Sequence, residues 1–199
     1  MRRGVLGGTF DPPHLGHLVL GAAARRALAL DQVLFVPAGD PYRKSDRRVT
    51  PAATRLRLIE AAVAPLSWAR VSPIEVDREG PTYSWQTMLE LGRDGGDWWF
   101  IMGLDALVDL PNWDDPGKLP AVSRLGVASR RPLPDHVPDA VRDVVPDIDG
   151  VVDYVAMPPV DLSSTDLRAR VSAGLSTEIL VPEGVREIIE AERLYAGGV

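Results

Sequence analysis

An apolar run, Gly4-Val5-Leu6, gives way to Gly7-Gly8-Thr9-Phe10-Asp11-Pro12-Pro13-His14-Leu15-Gly16-His17, and this leads into Leu18-Val19-Leu20-Gly21-Ala22-Ala23-Ala24. The order reads strand, glycine-rich turn, helix. Two glycines let the backbone turn tightly and approach a ligand with no Cβ in the way. Pro12 and Pro13 fix the loop and keep helix from forming before them. His14 and His17 stand three apart at the helix start and share one face. A helix N-terminus presents unsatisfied N–H groups and partial positive charge, which suits a phosphate. Two imidazoles beside such donors suit phosphate charge in transit. A His-x-x-His zinc pair is the competing reading, and it lacks cysteines and an obvious third ligand.

The rest of the chain supports an open α/β sheet. Val33–Val36 is a short apolar run, as expected of a strand buried on both faces, and Trp98–Met102 and Leu125–Ser129 read as further strands, joined by Arg3–Gly7, Ala69–Val76 and Val151–Val155. Helical patterns fall between them, at Leu15–Leu30, from Thr50-Pro51 to about Pro65, and from Tyr83 or Ser84 to Leu91. Thr50 reads as an N-cap with Pro51 in the first helical position. Pro132–Asp149 reads as a loop with one short helix. A helix capped by Ser163 or Ser164 and a last helix over Glu183–Glu192 complete a helical C-terminal segment. Alternation of this kind predicts a Rossmann-like parallel sheet with helices on both faces, in a single domain over residues 1–199. Three loops that follow predicted strands, Gly7–His17, Gly103–Asp105 and Arg130-Arg131, then gather where ligands bind in such sheets.

Composition narrows the partners. A net charge of −6 gives no global basic field for nucleic acid or an anionic membrane, so a phosphate ligand must be held by a local cluster. Cysteine is absent, which excludes disulfides and thiolate metal sites and fits a reducing compartment. No apolar run of about 20 residues is present to span a membrane. Arg2-Arg3 is followed at once by the glycine-histidine loop rather than a signal sequence, so the expected location is the cytoplasm. Neither G-x-x-x-x-G-K-S/T nor G-x-G-x-x-G occurs, so a P-loop or a dinucleotide fingerprint is unsupported.

Several other stretches carry chemistry. Leu162-Ser163-Ser164-Thr165-Asp166-Leu167-Arg168 places hydroxyls at a helix start and a guanidinium one turn on, a phosphate cradle or an ordinary cap. Gly103 allows close backbone approach, and Asp105 can accept two ribose hydroxyls. Trp113 offers a face for stacking, whereas Trp68, Trp98 and Trp99 read as core or rim. His136 reads as surface.

Taken together these strings resemble the HxGH nucleotidyltransferases. Gly7–His17 matches GGTFDPxHxGH, and its two leading glycines and Pro12 look most like bacterial nicotinate-nucleotide adenylyltransferases. Leu162–Arg168 is similar to the (I/L)SSTxxR segment, Gly103–Leu107 to GxDxL, and Leu110–Trp113 to (L/M)xxW. Pro81-Thr82-Tyr83-Ser84 is similar to the (S/T)-Tyr-Thr segment, with Ser84 in place of the usual Thr. Pro41-Tyr42-Arg43-Lys44 departs further from Pro-Pro-His-Lys/Arg, and Arg130 matches an RRP arginine.

The resemblance implies transfer of the adenylyl group of ATP to nicotinate mononucleotide, with Mg²⁺ bound mainly through the ATP phosphates and no protein metal ligands. It implies His14, His17 and Arg168 as catalytic. Gly7, Gly8, Thr9, Phe10, Gly103, Asp105, Arg130, Ser163, Ser164 and Thr165 would join them in binding ATP. Lys44, Thr82, Tyr83, Ser84 and Trp113 would bind the mononucleotide. Nicotinamide mononucleotide as acceptor, or a non-catalytic nucleotide-binding regulator, stands as an alternative. A homo-oligomer is compatible with all of this.

Overall fold

Six strands form one sheet in the order β3-β2-β1-β4-β5-β6, with β1 at Arg2–Gly8, β2 at Gln32–Pro37, β3 at Ala69–Val71, β4 at Asp97–Gly103, β5 at Arg124–Ser129 and β6 at Val152–Ala156. A computed structural model describes residues 1–40, 49–129 and 132–196. β1 pairs with β4, β4 with β5 and β5 with β6, all parallel, with Leu6 opposite Ile101, Ile101 opposite Gly126 and Val127 opposite Tyr154. The strand order reverses between β1 and β4, and open α/β sheets bind ligands outside the carboxyl ends of their strands at such a point.

Eight α-helices are present among the described residues: α1 Leu15–Ala27, α2 Ala52–Val63, α3 Ser84–Leu91, α4 Leu104–Val108, α5 Lys118–Val122, α6 Asp139–Arg142, α7 Ser164–Ser172 and α8 Glu183–Ala191. The parallel sheet, its helices and the helical C-terminal segment agree with the sequence pattern. Several boundaries shift by a residue, and three features differ more. β3 ends at Val71 rather than Val76, because Pro73 lacks a backbone donor and its carbonyl closes a turn with Asp77. α1 stops at Ala27, ahead of Ala29 at φ 48. Thr50 does not cap α2: Pro51 is the N-cap with no side-chain bond, and both backbone groups of Thr50 are engaged elsewhere.

The chain divides into two compact units. One comprises Met1–Gly7, Leu20–Leu34 and Tyr83–Pro159; the other comprises Gly8–Val19, Phe35–Thr82 and Val160–Val199, over its described residues. In the first, Val5, Leu6, Phe100, Ile101, Leu125, Val127 and Val155 are all at most 5% exposed, as parallel strands covered on both faces require. A Cβ on Gly126 would lie 2.9 Å from Leu28 Cδ1, so a glycine is needed for that close approach. At the sheet's rim Arg2 lies over the Trp99 ring at 4.4 Å, and Trp99 Nε1 donates to Asp153, which also takes two bonds from Arg124.

In the second unit α2 packs on α8, whose Val185 and Ile189 are buried at four-residue spacing. Gly184 permits this contact, since a Cβ there would stand 3.3 Å from that of Ala61. The pair carries an ion pair between Arg57 and Glu192.

Candidate active site

The second unit holds the whole Gly8–His17 stretch and the Ser163–Arg168 segment. Past β1 the chain turns at Phe10, whose backbone is left-handed (φ 50) and whose ring is buried. That ring meets His17 edge-on at 5.0 Å and Phe35 at 6.1 Å. A Cβ on Gly8 would approach the Phe10 ring to 3.0 Å, so Gly8 leaves room for the turn that follows it. The Asp11-Pro12 bond is cis.

The two imidazoles are fixed by their Nδ1 atoms. Gly16 N–H donates to His14 Nδ1 at 3.1 Å, and His14 N–H donates to His17 Nδ1 at 3.2 Å. An Nδ1 that accepts cannot carry the proton, so each neutral ring bears it on Nε2. The rings lie 3.8 Å apart, tilted by 33°. His14 is buried, and desolvation pushes its pKa down to about 4, so at neutral pH it is an uncharged N–H donor. Gly16 is required by the same arrangement: a Cβ would fall 2.9 Å from His14 Nδ1 and Cε1.

The helix start offers fewer donors than the sequence suggests. Leu15 N–H is taken by Leu180 O at 3.1 Å, Gly16 N–H by His14 Nδ1, and His17 N–H by His14 O. The donors here that resemble an anion site are therefore ring Nε2–H groups, with the turn before the helix supplying backbone.

The carbonyls of this turn are drawn into the protein. Arg55, 1% exposed on α2, donates to Thr9 O at 2.9 Å, Thr50 O at 2.8 Å and Gly39 O at 3.0 Å. Arg168 donates to Asp11 O at 2.7 Å and to Thr165 Oγ1 at 3.2 Å, and Ser164 donates to Pro12 O at 2.9 Å. With these oxygens occupied, the negative ends of the peptide dipoles are paid off internally. Arg168 is buried, and its Nε has no hydrogen-bond partner among the described residues, which leaves one cationic donor unspent. Ser163 caps α7: its Oγ accepts from Asp166 N–H at 3.1 Å and donates to the Asp166 carboxylate at 2.6 Å.

Two residues that sequence reasoning missed complete this network. Asp11 is 5% exposed; its Oδ2 accepts from Thr50 N–H at 3.2 Å and its Oδ1 from Tyr195 Oη–H at 2.7 Å. Arg55 was missed as well, although it sits on the buried stripe of α2 with Leu58, Ile59 and Ala62. An arginine at that spacing is the signal that finds it.

The first unit holds a second group of candidate residues. Gly103 ends β4 with open space where a Cβ would stand, and Asp105 follows, exposed in the first turn of α4. Trp113 is half-buried; its Nε1 donates to Asp109 at 3.2 Å and its ring meets Phe100 edge-on at 6.4 Å. Tyr83 precedes α3, which begins at Ser84. The Tyr83 ring runs nearly parallel to Trp85 at 6.5 Å, and Lys118 lies over Trp85 at 4.4 Å, held by Asp115. Thr82, in the second unit, is buried beside Gly39. Lys44 and Arg130 lie outside the described residues. Trp98 and Trp99 are buried and His136 is exposed, in keeping with their sequence readings.

Among the described residues no three His, Asp or Glu side chains are grouped to hold a metal ion. The donor set is cationic and N–H in character, suited to anions.

The profile of the cytidylyltransferase-like family matches residues 5–170. A solved structure described as Plasmodium falciparum nicotinic acid mononucleotide adenylyltransferase complexed with NaAD has the same fold, with a TM-score of 0.75 at 17% identity over 98% of this chain and 97% of that one. Fold, loop and profile together define a nucleotidyltransferase of the cytidylyltransferase-like family. Proteins named probable nicotinate-nucleotide adenylyltransferase match almost end to end. The one from Exiguobacterium sibiricum is 41% identical over 98% of this chain and 100% of its own. The one from Dehalococcoides mccartyi strain 195 is 37% identical over 98% and 97%. The chain belongs to the nicotinate-nucleotide adenylyltransferase family.

Proposed function

We propose that the chain transfers the adenylyl group of ATP to nicotinate mononucleotide, giving deamido-NAD and pyrophosphate in NAD biosynthesis. A phosphate oxygen of the mononucleotide attacks the α-phosphorus of ATP in line. The new P–O bond forms as the bond to the bridging oxygen of the β-phosphate breaks, and that oxygen leaves with pyrophosphate. Such a transfer asks for position and charge stabilisation more than for a nucleophile.

The observation that carries this reading is the pair of imidazoles, each accepting at Nδ1 and so bearing its proton on Nε2, set in a turn whose carbonyls are already bonded. His17 holds the α-phosphate as charge builds, and His14 supports the nucleotide phosphates as a neutral donor. Gly7, Gly8, Thr9 and Phe10 supply backbone to ATP. Ser163, Ser164, Thr165 and Arg168 bind its phosphates, with Arg130 as a further contact. Gly103 lets the nucleotide close on the backbone, and Asp105 accepts the ribose hydroxyls.

On the acceptor side Lys44 meets the mononucleotide phosphate. Thr82, Tyr83 and Ser84 border the pyridine and offer backbone N–H to its carboxylate, and Trp113 stacks on the ring. Mg²⁺, which keeps much of its water and binds through substrate phosphates in such sites, would neutralise the triphosphate. No helix among the described residues is long and apolar enough to cross a membrane, and the absence of cysteine suits the cytoplasm.

The test is pyrophosphate release from ATP and Mg²⁺ with nicotinate or nicotinamide mononucleotide as acceptor. A strong preference for nicotinate is expected. Equal rates would mean a permissive pyridine pocket. ATP binding with no release from either acceptor would leave a binding protein, and the reading would fall. His17→Ala should lower kcat by roughly 10²–10³ with the fold intact, as loss of one preorganised donor does.

A further inference from the structure

Tyr195 belongs to the segment beyond α8, far from every sequence motif, yet its hydroxyl ends on the catalytic turn. The phenol donates to Asp11 Oδ1 at 2.7 Å, and the Thr50 side chain hydrogen-bonds to the phenol in turn. Asp11 lies between the left-handed Phe10 and Pro12, and three residues ahead of His14. Its carboxylate is buried. A buried carboxylate needs its lone pairs met, and here they are met by one backbone N–H and one phenol. Its own carbonyl takes the Arg168 guanidinium. One residue therefore joins the turn to α7 through its backbone and to the C-terminal segment through its side chain.

The C-terminal segment is shaped to deliver this hydroxyl. After α8 the chain passes through two left-handed residues, Arg193 (φ 50) and Tyr195 (φ 63), and Leu194 N–H closes the end of the helix on Ile189 O at 3.0 Å. Two non-glycine residues in that region cost energy and persist only where the surroundings hold them. Burial and the neighbouring Asp11 charge drive the phenol far above its ordinary range, so it stays a proton donor at every working pH.

We propose that Tyr195 is a positioning residue for adenylyl transfer, holding the Gly7–His17 turn in register through Asp11. The proposal rests on the assignment of that turn to the reacting phosphate. Without the phenol, Asp11 loses one of the two bonds that fix its side chain, and the turn drifts relative to the imidazoles. Small displacements of this kind are expensive in rate, since a misplacement of about 1 Å can cost about 10²-fold.

The experiment uses Tyr195→Phe, which keeps the ring and removes only the hydroxyl, together with Asp11→Asn and the double variant. Steady-state rates are taken well below the melting temperature. In parallel, ring ¹⁵N spectra are recorded at pH 7.5. The chain has three histidines, and exposed His136 serves as an internal control. Tyr195→Phe is expected to lower kcat roughly tenfold, a fraction of the full misplacement cost, with KM for the mononucleotide within about twofold. The double variant should be no slower than the slower single variant. The His14 and His17 resonances should shift or broaden while His136 stays put.

A lowered melting temperature with kcat within about twofold of wild type would make Tyr195 a structural anchor only and overturn the proposal. Unmoved His14 and His17 resonances would overturn it as well. If the wild-type protein itself transfers no adenylyl group, the functional reading fails, and the spectra still decide whether Tyr195 sets the geometry of the turn.

Discussion

Replacing Arg55 with methionine keeps the apolar stem on α2 and removes only the guanidinium. Three partly buried carbonyls, those of Thr9, Thr50 and Gly39, lose their donor at once. Each unsatisfied buried acceptor costs about 1–3 kcal/mol. The Asp11 carboxylate, whose charge opposes the fall in the Arg55 pKa that burial causes, loses its nearby cation too. Part of this returns, because a buried guanidinium is itself costly to desolvate. Removing one partner of a buried charged pair leaves a net loss of about 3–5 kcal/mol. In a chain of this size each kcal/mol moves the melting temperature by about 2–4 °C, so the fall should be on the order of 10 °C. Urea unfolding followed by far-UV circular dichroism measures the free energy directly. Arg55→Lys keeps the charge but cannot reach three acceptors with the same fork geometry, and should fall between wild type and Arg55→Met. A loss below about 1 kcal/mol in Arg55→Met would show that water reaches these carbonyls, and the picture of a dry clamp beneath the turn would be refuted.

Gly16→Ala gains up to about 1 kcal/mol of helix propensity but forces the His14 ring from its place, so melting should hold steady while kcat drops at least tenfold. A kcat within twofold of wild type would contradict that geometry. His14 binds its proton at about pH 4 in the native state and at 6.5 when unfolded, so the unfolded chain takes up more protons between those values. Stability should therefore decline as the pH falls through that window, by about 2 kcal/mol between pH 7.5 and 5, and His14→Gln should remove that part of the decline in urea unfolding curves. Trp113→Ala should raise KM for the mononucleotide roughly tenfold while leaving KM for ATP nearly unchanged, as the loss of one stacking face predicts.

Strands β4 and β5 were legible because Trp98–Met102 and Leu125–Ser129 are continuous apolar runs, and only burial on both faces rewards such runs. The motif residues were legible because their chemistry is local: a glycine-rich turn, two histidines on one face, a serine cap. The α5 segment escaped notice because five residues hold too little periodicity to separate them from loop. Ala69–Val76 looked like a longer strand because its alternation continues past Pro73, while the ladder cannot. Arg55 and Tyr195 act through bonds to residues 46 and 184 positions away, and no local pattern carries information over that distance.

The way the turn is held also bears on its use as a building block. Its backbone oxygens are tied to α2 and α7, its carboxylate to the C-terminal segment, and the first amide of its helix to Leu180. A graft of Gly7–His17 into a foreign sheet would carry every residue of the signature and none of these tethers. Transplantation should therefore yield a glycine-rich loop with two loosely oriented imidazoles, and a host would have to supply two buried arginines and a phenol before the graft behaved as it does here.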